Sequence, residues 1–286
     1  MTSRTEYEEA LSSVQELNPS AAVLAKAQQK IRDPNVDIND LEHILKADAA
    51  ITSDVLRLSN SAYYNSATVS KDLTTAISRI GLDEVLKLIG LSISKNVMDQ
   101  DLHHYNMTAR AFMSESVSTA LLMEILARII GFSGSESYTL GLLSNVGKLV
   151  IDQLLHNFGE EEIYDGSMPL IEWERKHLGF DHSFAGAKLL KLWDFPSEIT
   201  NPILYQFIPE KVEEDNEELQ KYIRSLGFTR EMIAAAGYAF ENENIEMTDS
   251  MEQFINDYMV DEEELVNGLV DAGEKFNTVK RELDIH

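Results

Sequence analysis

The sequence predicts an all-α fold, and three observations carry that expectation. Apolar residues recur three and four apart along almost the whole chain, no alternating run of five or more residues reads as a strand, and helix starts are marked by Asn, Asp or Pro at capping positions. With 286 residues the chain can bury a sizeable core, as one large domain or two smaller ones.

Tyr7, Leu11, Val14 and Leu17 outline a first helix. A second follows Asn18-Pro19-Ser20, carries Val23, Leu24, Ala27 and Ile31, and stops at Asp33-Pro34 because a proline ring clashes with the preceding turn. Asn39, with Glu42 three residues on, reads as a capping box for a short helix bearing Leu41, Ile44 and Leu45. Helices are expected next around 49–59, 73–80 and 83–98. From about Asn106 to Ile130 one long helix is expected. Val117, Leu121, Ile125 and Ile129 form one row and Leu122, Leu126 and Ile130 the adjacent row, an arc wide enough to require deep burial.

Gly131-Phe132-Ser133-Gly134-Ser135 breaks that helix, and the next two flank Ser144-Asn145. Pro169 reads as the first residue of a helix ending near Gly179, Asp181 as the N-cap of the next, and Pro196 as the opening of another. Glu210 to Glu218 holds six acidic residues and reads as a solvated loop or helix edge. A final helix spans Asp261 to Leu283, with Asp261 as its N-cap and Leu265, Leu269, Ala272 and Phe276 along one face.

Composition narrows the function classes. At 44% hydrophobic and 26% charged residues the chain reads as a folded globular protein. Cysteine is absent, which removes disulfides, thiolate metal sites and a cysteine nucleophile. Lys and Arg number 24 against 49 Asp and Glu, a net charge of -25 that repels nucleic acid and anionic membranes, and no basic patch offsets it. The polar N-terminus and the absence of a long apolar run place the protein in the cytoplasm, as an expectation. No P-loop, dinucleotide-binding glycine motif or His-Glu-x-x-His sequence is present, and Ser144 lacks the Gly-x-Ser-x-Gly context of a nucleophile. His103 and His104 are adjacent, so they cannot serve one metal from one helix face, and an exposed loop is expected there.

Three stretches carry a family resemblance. They are Leu45-Lys46-Ala47-Asp48-Ala49-Ala50, then Val55-Leu56-Arg57-Leu58-Ser59-Asn60-Ser61-Ala62-Tyr63-Tyr64, then Ala76-Ile77-Ser78-Arg79-Ile80-Gly81-Leu82. Over residues 14 to about 200 the chain resembles the HDOD family, the HD-related output domains of bacterial signalling proteins. Physically, Asn60 and Ser61 can end a helix by bonding nearby backbone and Ala62 permits close helix approach, a capping and packing device with no ligand. The family's Asp-Pro is Asp48-Ala49 here, which loosens a helix start without changing the fold.

The second half is similar in outline to the HD metal-dependent phosphohydrolases, and there the resemblance points to lost ligands. The family's first His falls at or near Glu115, its His-Asp pair is Ser144-Asn145, and a later His is replaced around Tyr205-Gln206. Gly147, Lys148, Gly179-Phe180-Asp181-His182, Ala185-Gly186 and Trp193-Asp194-Phe195-Pro196 persist. Hydroxyl and carboxamide are weak ligands for a water-activating divalent ion, so no metal or other cofactor is expected.

The resemblance implies an N-terminal helical subdomain, residues 1–106, packed on a degenerate HD-like bundle with a C-terminal helical extension, residues 107–286. His182 is expected to be a satisfied core histidine, hydrogen-bonded in the neighbourhood of Asp181, and Lys148 a helix-surface salt bridge, though also a candidate ligand contact. The expected function is non-catalytic signalling or regulation through binding a protein partner or small ligand, the vacated cleft included. The alternative is a divergent phosphohydrolase of nucleotides or cyclic dinucleotides, which requires Glu115, His182 and Asp152 or Asp181 to converge on one ion.

Overall fold

Helix follows helix through the whole of the computed structural model, which describes residues 21–33, 35–61, 64, 69–213, 215–238, 240 and 245–282. The expected Tyr7–Leu17 helix and Ala62 lie outside the described residues. The first half contains α1 (Ala21–Ile31), α2 (Ile38–Leu45), α3 (Ala49–Ser59), α4 (Leu73–Ile80) and α5 (Leu82–Val97). After a 3-10 turn at His103–Tyr105 come α6 (Ala109–Ile130), α7 (Gly134–Leu143), α8 (Gly147–Asn157), α9 (Leu170–Leu178), α10 (His182–Leu192) and α11 (Ser197–Tyr205). A second 3-10 turn, Pro209–Lys211, leads to α12 (Glu217–Ala236), α13 (Asp249–Tyr258) and α14 (Glu262–Glu282).

The long helix α6 is the centre of this arrangement. Its two apolar rows are buried nearly all round, as a core helix requires, and α7, α12 and α14 pack against it. Helix α5, buried from Val85 to Ser94, joins the N-terminal helices α1, α3 and α4 to α7. One hydrophobic cluster runs through all of them, from Ala21 to Phe276.

Several boundaries differ from the sequence expectation. The capping box of α2 is not Asn39 with Glu42 but Asp37 with Asp40. The Asp37 carboxylate accepts the Asp40 N–H at 3.0 Å and the Asp40 carboxylate accepts the Asp37 N–H at 3.1 Å. Starting two residues earlier brings Ile38 into the helix, where it packs against the core. Helix α6 starts at Ala109 behind an N-cap at Thr108, because Asn106 turns left-handed (φ 49°) and Leu102 pairs with Met107. Pro169 is the N-cap of α9 and not its first residue, at φ -54° and ψ 135°. Asp181 caps α10 and Pro196 caps α11. Asp48 caps α3 by accepting the N–H groups of Ala50 and Ile51, so the missing proline is compensated.

The acidic stretch after Glu210 is part 3-10 turn and part helix, with Glu217 and Glu218 in the first turn of α12, where the helix dipole favours negative charge. Helices α12 and α13 add to the expected elements, and Tyr222, Leu226 and Ile233 on α12 are spaced for one buried face. Asp261 accepts the Glu264 N–H at 2.9 Å and opens α14, whose Leu265, Gly268, Ala272 and Phe276 are buried.

Candidate functional site

The α7–α8 corner places Ser144, Asn145 and Lys148 against three other elements, and Gly147 sets how closely. A β-carbon on Gly147 would stand 1.9 Å from the His182 carbonyl oxygen and 2.5 Å from the Gly186 nitrogen. Helices α8 and α10 therefore meet backbone to backbone, an approach that only glycine allows. That contact brings the start of α10 to the corner, while the second turn of α6 supplies Glu115 and the residue after α11 supplies Gln206.

Glu115 is held from within the chain. Asn145 Nδ2 donates to its Oε1 at 2.9 Å, and Lys148 Nζ donates to Oε1 and Oε2 at 3.0 and 3.1 Å. Lys148 is 4% exposed, so this is a buried ion pair and not the helix-surface salt bridge expected for it. The Ser144 hydroxyl donates to the Gly141 carbonyl at 2.8 Å, and the Gln206 amide donates to the Ser144 carbonyl at 3.0 Å. A cavity of about 40 Å³ remains between Glu115, Thr119, Ser144, Asn145, Gln206 and Arg230, room for a water or two. The Arg230 guanidinium lies over the Phe207 ring, 4.4 Å from its centroid.

His182, 2% exposed, belongs to a second polar group beside the first. Its Nδ1 lies 2.8 and 2.9 Å from the two oxygens of the fully buried Glu174, which also accepts the His182 N–H at 2.8 Å and the Tyr105 hydroxyl at 2.7 Å. Burial, reinforced by the neighbouring Glu174, pushes the Tyr105 phenol well above its ordinary pKa and keeps it a donor. The carboxylate partner of His182 is Glu174 on the preceding helix, and among the described residues its buried Nε2 has no hydrogen-bond partner and stands edge-on to Phe207 at 5.2 Å between ring centroids. A carboxylate on Nδ1 that leaves Nε2 free is the arrangement that orients a histidine metal ligand.

The carboxylates considered as further ligands are engaged elsewhere. Asp181 accepts the N–H groups of Ser183 and Phe184 and is paired with Arg175 Nη2 at 2.6 Å. Burial raises its pKa, but the hydrogen bonds from Ser183 and Arg175 outweigh that and hold it below the usual carboxylate value. Asp152 accepts the His104 N–H at 2.7 Å and meets His104 Nδ1 at 3.0 Å. His104 is therefore not in an exposed loop: it is 2% exposed, with Nε2 3.0 Å from the Glu160 carbonyl. Among the described residues no three His, Asp or Glu side chains are placed to hold a metal ion, so the residues present do not fit a catalytic metal.

The remaining motif residues frame the fold. Asn60 caps α3, donating through Nδ2 to the carbonyls of Leu56 and Ser70 at 2.9 Å each and accepting the Ser70 N–H at 2.8 Å. Ser61 beside it is buried, and its N–H closes the turn onto Leu58. Gly81, at φ 88°, turns α4 into α5 in a conformation that favours glycine. Trp193 is buried at the end of α10, three residues before the Pro196 cap of α11.

The HDOD domain profile matches residues 17–209. A curated relative, an uncharacterized protein of Treponema pallidum (strain Nichols), is 24% identical over 200 residues, which are 67% of this chain and 38% of that protein, so the chain spans well under half of its length. Three solved structures share the fold. An HDOD domain protein with unknown function from Geobacter sulfurreducens aligns at TM-score 0.70 and 19% identity, covering 96% of this chain and 97% of that one. A Shewanella amazonensis SB2B protein, named provisionally as a phosphohydrolase, aligns at 0.69 and 20% identity, covering 96% and 98%. A Marinobacter aquaeolei VT8 protein, named provisionally as a signal transduction protein, aligns at 0.69 and 19% identity, covering 96% and 61%.

Proposed function

The chain belongs to the HDOD family, and from that premise we propose that it is a non-catalytic signal-transduction protein, working by binding a protein partner or small ligand on an HD-like scaffold. The observation that carries the reading is the Lys148 ammonium seated on Glu115 at 3.0 Å. A side-chain cation there meets the carboxylate that a divalent ion would need, and Asn145 completes its hydrogen bonding. The provisional name of the Marinobacter neighbour supports a signalling role. The net charge of -25, which repels nucleic acid and anionic membranes, supports a partner of another kind. No described helix is long and apolar enough to cross a membrane.

The feature that favours the alternative, a residual phosphohydrolase, is His182 with its Glu174-oriented ring and an Nε2 that has no partner among the described residues. One measurement separates the two. Protein purified without chelator is expected to carry no stoichiometric metal and to show no metal-dependent hydrolysis of bis(p-nitrophenyl) phosphate or cyclic dinucleotides. Stoichiometric metal together with turnover that His182→Ala abolishes would establish the phosphohydrolase instead.

A further inference from the structure

The C-terminal helices leave an apolar groove, lined by residues other than those of the α7–α8 corner cavity. It has a volume of about 440 Å³, and Met232 of α12, Met247, Ile255 of α13, and Leu265, Val266 and Leu269 of α14 line it. Helix α14 is apolar on two sides. Leu265, Gly268, Ala272 and Phe276 are buried, while Val266 and Val270, one turn apart, are 59% and 61% exposed. Val266 lines the groove and Val270 follows it one turn on, and contiguous exposed apolar surface marks an interaction site where single residues do not.

The charge of this segment and of the groove lining says what fits it. From Glu231 to Glu274 the sequence holds thirteen acidic residues and no Lys, Arg or His, and Glu252 and Glu262 are the acidic residues in the lining. Some of these carboxylates are occupied: Asp257 pairs with Arg224 and Glu264 with Arg128. Glu252 and Glu262 line the groove itself, and among the described residues neither pairs with a cation. A second copy of this chain would bring the same acidic face and another net charge of -25, so self-association on this surface is opposed. Anionic lipid and nucleic acid are repelled for the same reason.

We infer that this groove is a docking site for a basic amphipathic helix of a partner protein, whose apolar side chains enter between α12, α13 and α14 while flanking Lys or Arg residues meet Glu252 and Glu262. The inference rests on the reading that the chain works by binding, and it locates the partner surface on the C-terminal extension, away from the Glu115–Lys148 pair. The family match ends at residue 209, before any of the residues that line this groove.

The probe is a fluorescein-labelled helical peptide of two Leu-Lys-Lys-Leu-Leu-Lys-Leu heptads, titrated with the full chain by anisotropy at about 150 mM salt, where long-range attraction is screened. Saturable one-to-one binding is expected, weakened roughly tenfold or more by Val266→Asp and by the Glu252→Gln/Glu262→Gln pair. Val266→Asp adds negative charge, so general attraction to a cationic peptide would rise; a loss reports apolar burial. Because Val266 is exposed, the variant should fold, which circular dichroism checks. A peptide with every Leu replaced by Ser should bind at least roughly tenfold more weakly. The proposal is overturned if Val266→Asp binds undiminished, or if Glu213→Gln/Glu217→Gln, outside the groove, weakens binding as much as the groove pair. It is equally overturned if the Val266 face proves to mediate self-association in sedimentation or adsorption to phosphatidylcholine vesicles. Peptide binding and metal-dependent turnover are read independently, so the groove can fail while the non-catalytic reading stands, and the reverse.

Discussion

Lys148 shows how much one side chain decides at this site. Its ammonium and the Asn145 amide are the donors to the Glu115 side chain, and 5% of the Lys148 side chain and 19% of the Glu115 side chain reach solvent. Lys148→Met keeps the bulk and removes the charge, leaving the carboxylate with a single amide. A loss of about 2–3 kcal/mol is expected in urea unfolding, less than for a fully enclosed orphan charge because Glu115 retains some water. Adding Glu115→Gln to Lys148→Met should recover most of that loss, and a double variant no more stable than Lys148→Met would show that the pair is not coupled. The residue types at the corner were legible in the sequence, where Ser144-Asn145 offers a hydroxyl and a carboxamide beside Gly147-Lys148. What was not legible is that Lys148 turns inward, since a lysine next to a corner is usually solvated. Nor could Glu174 be connected to His182, because the two are eight residues apart on different helices and only the turn between α9 and α10 brings them together.

At the scale of elements, helix starts were read well where the cap is a lone Asp or Pro and less well where several polar residues compete. Between Asp37 and Asp40 three residues could cap α2, and the one chosen puts Ile38 against the core. Asp37→Ala is therefore expected to cost about 1 kcal/mol, while Asn39→Ala, which removes one exposed 3.4 Å contact, should stay within about 0.5 kcal/mol; equal losses in thermal unfolding would contradict the assigned cap. Gly147 illustrates the opposite limit. Its presence in a family pattern was visible in the sequence, but the reason is a backbone contact with His182 and Gly186 made between α8 and α10, and no local pattern reports that. Helices α12 and α13 carry readable signals in Tyr222, Leu226 and Ile233 and in the Thr248 cap, but the acidic residues interspersed among them weaken the apolar pattern.

For the whole molecule, charge and core act against each other. A net charge of -25 strains the compact state by self-repulsion, and one continuous hydrophobic cluster from α1 to α14 opposes it. Screening should relieve the repulsion, so Tm is expected to rise by about 3–5 °C between roughly 10 and 200 mM NaCl, measured by calorimetry; a flat or falling Tm would mean that attractive ion pairs dominate. By itself the sequence determined the all-α class, most helix boundaries and the HDOD membership, because helical periodicity, capping and residue chemistry are local and written in order along the chain. Only the tertiary structure decided that Lys148 sits on Glu115, that Glu174 orients His182, that His104 is buried on Asp152, and that α12, α13 and α14 leave an acidic-rimmed apolar groove open. Each of those depends on which helix faces meet across long sequence separations, and the packing of the core selects that pairing.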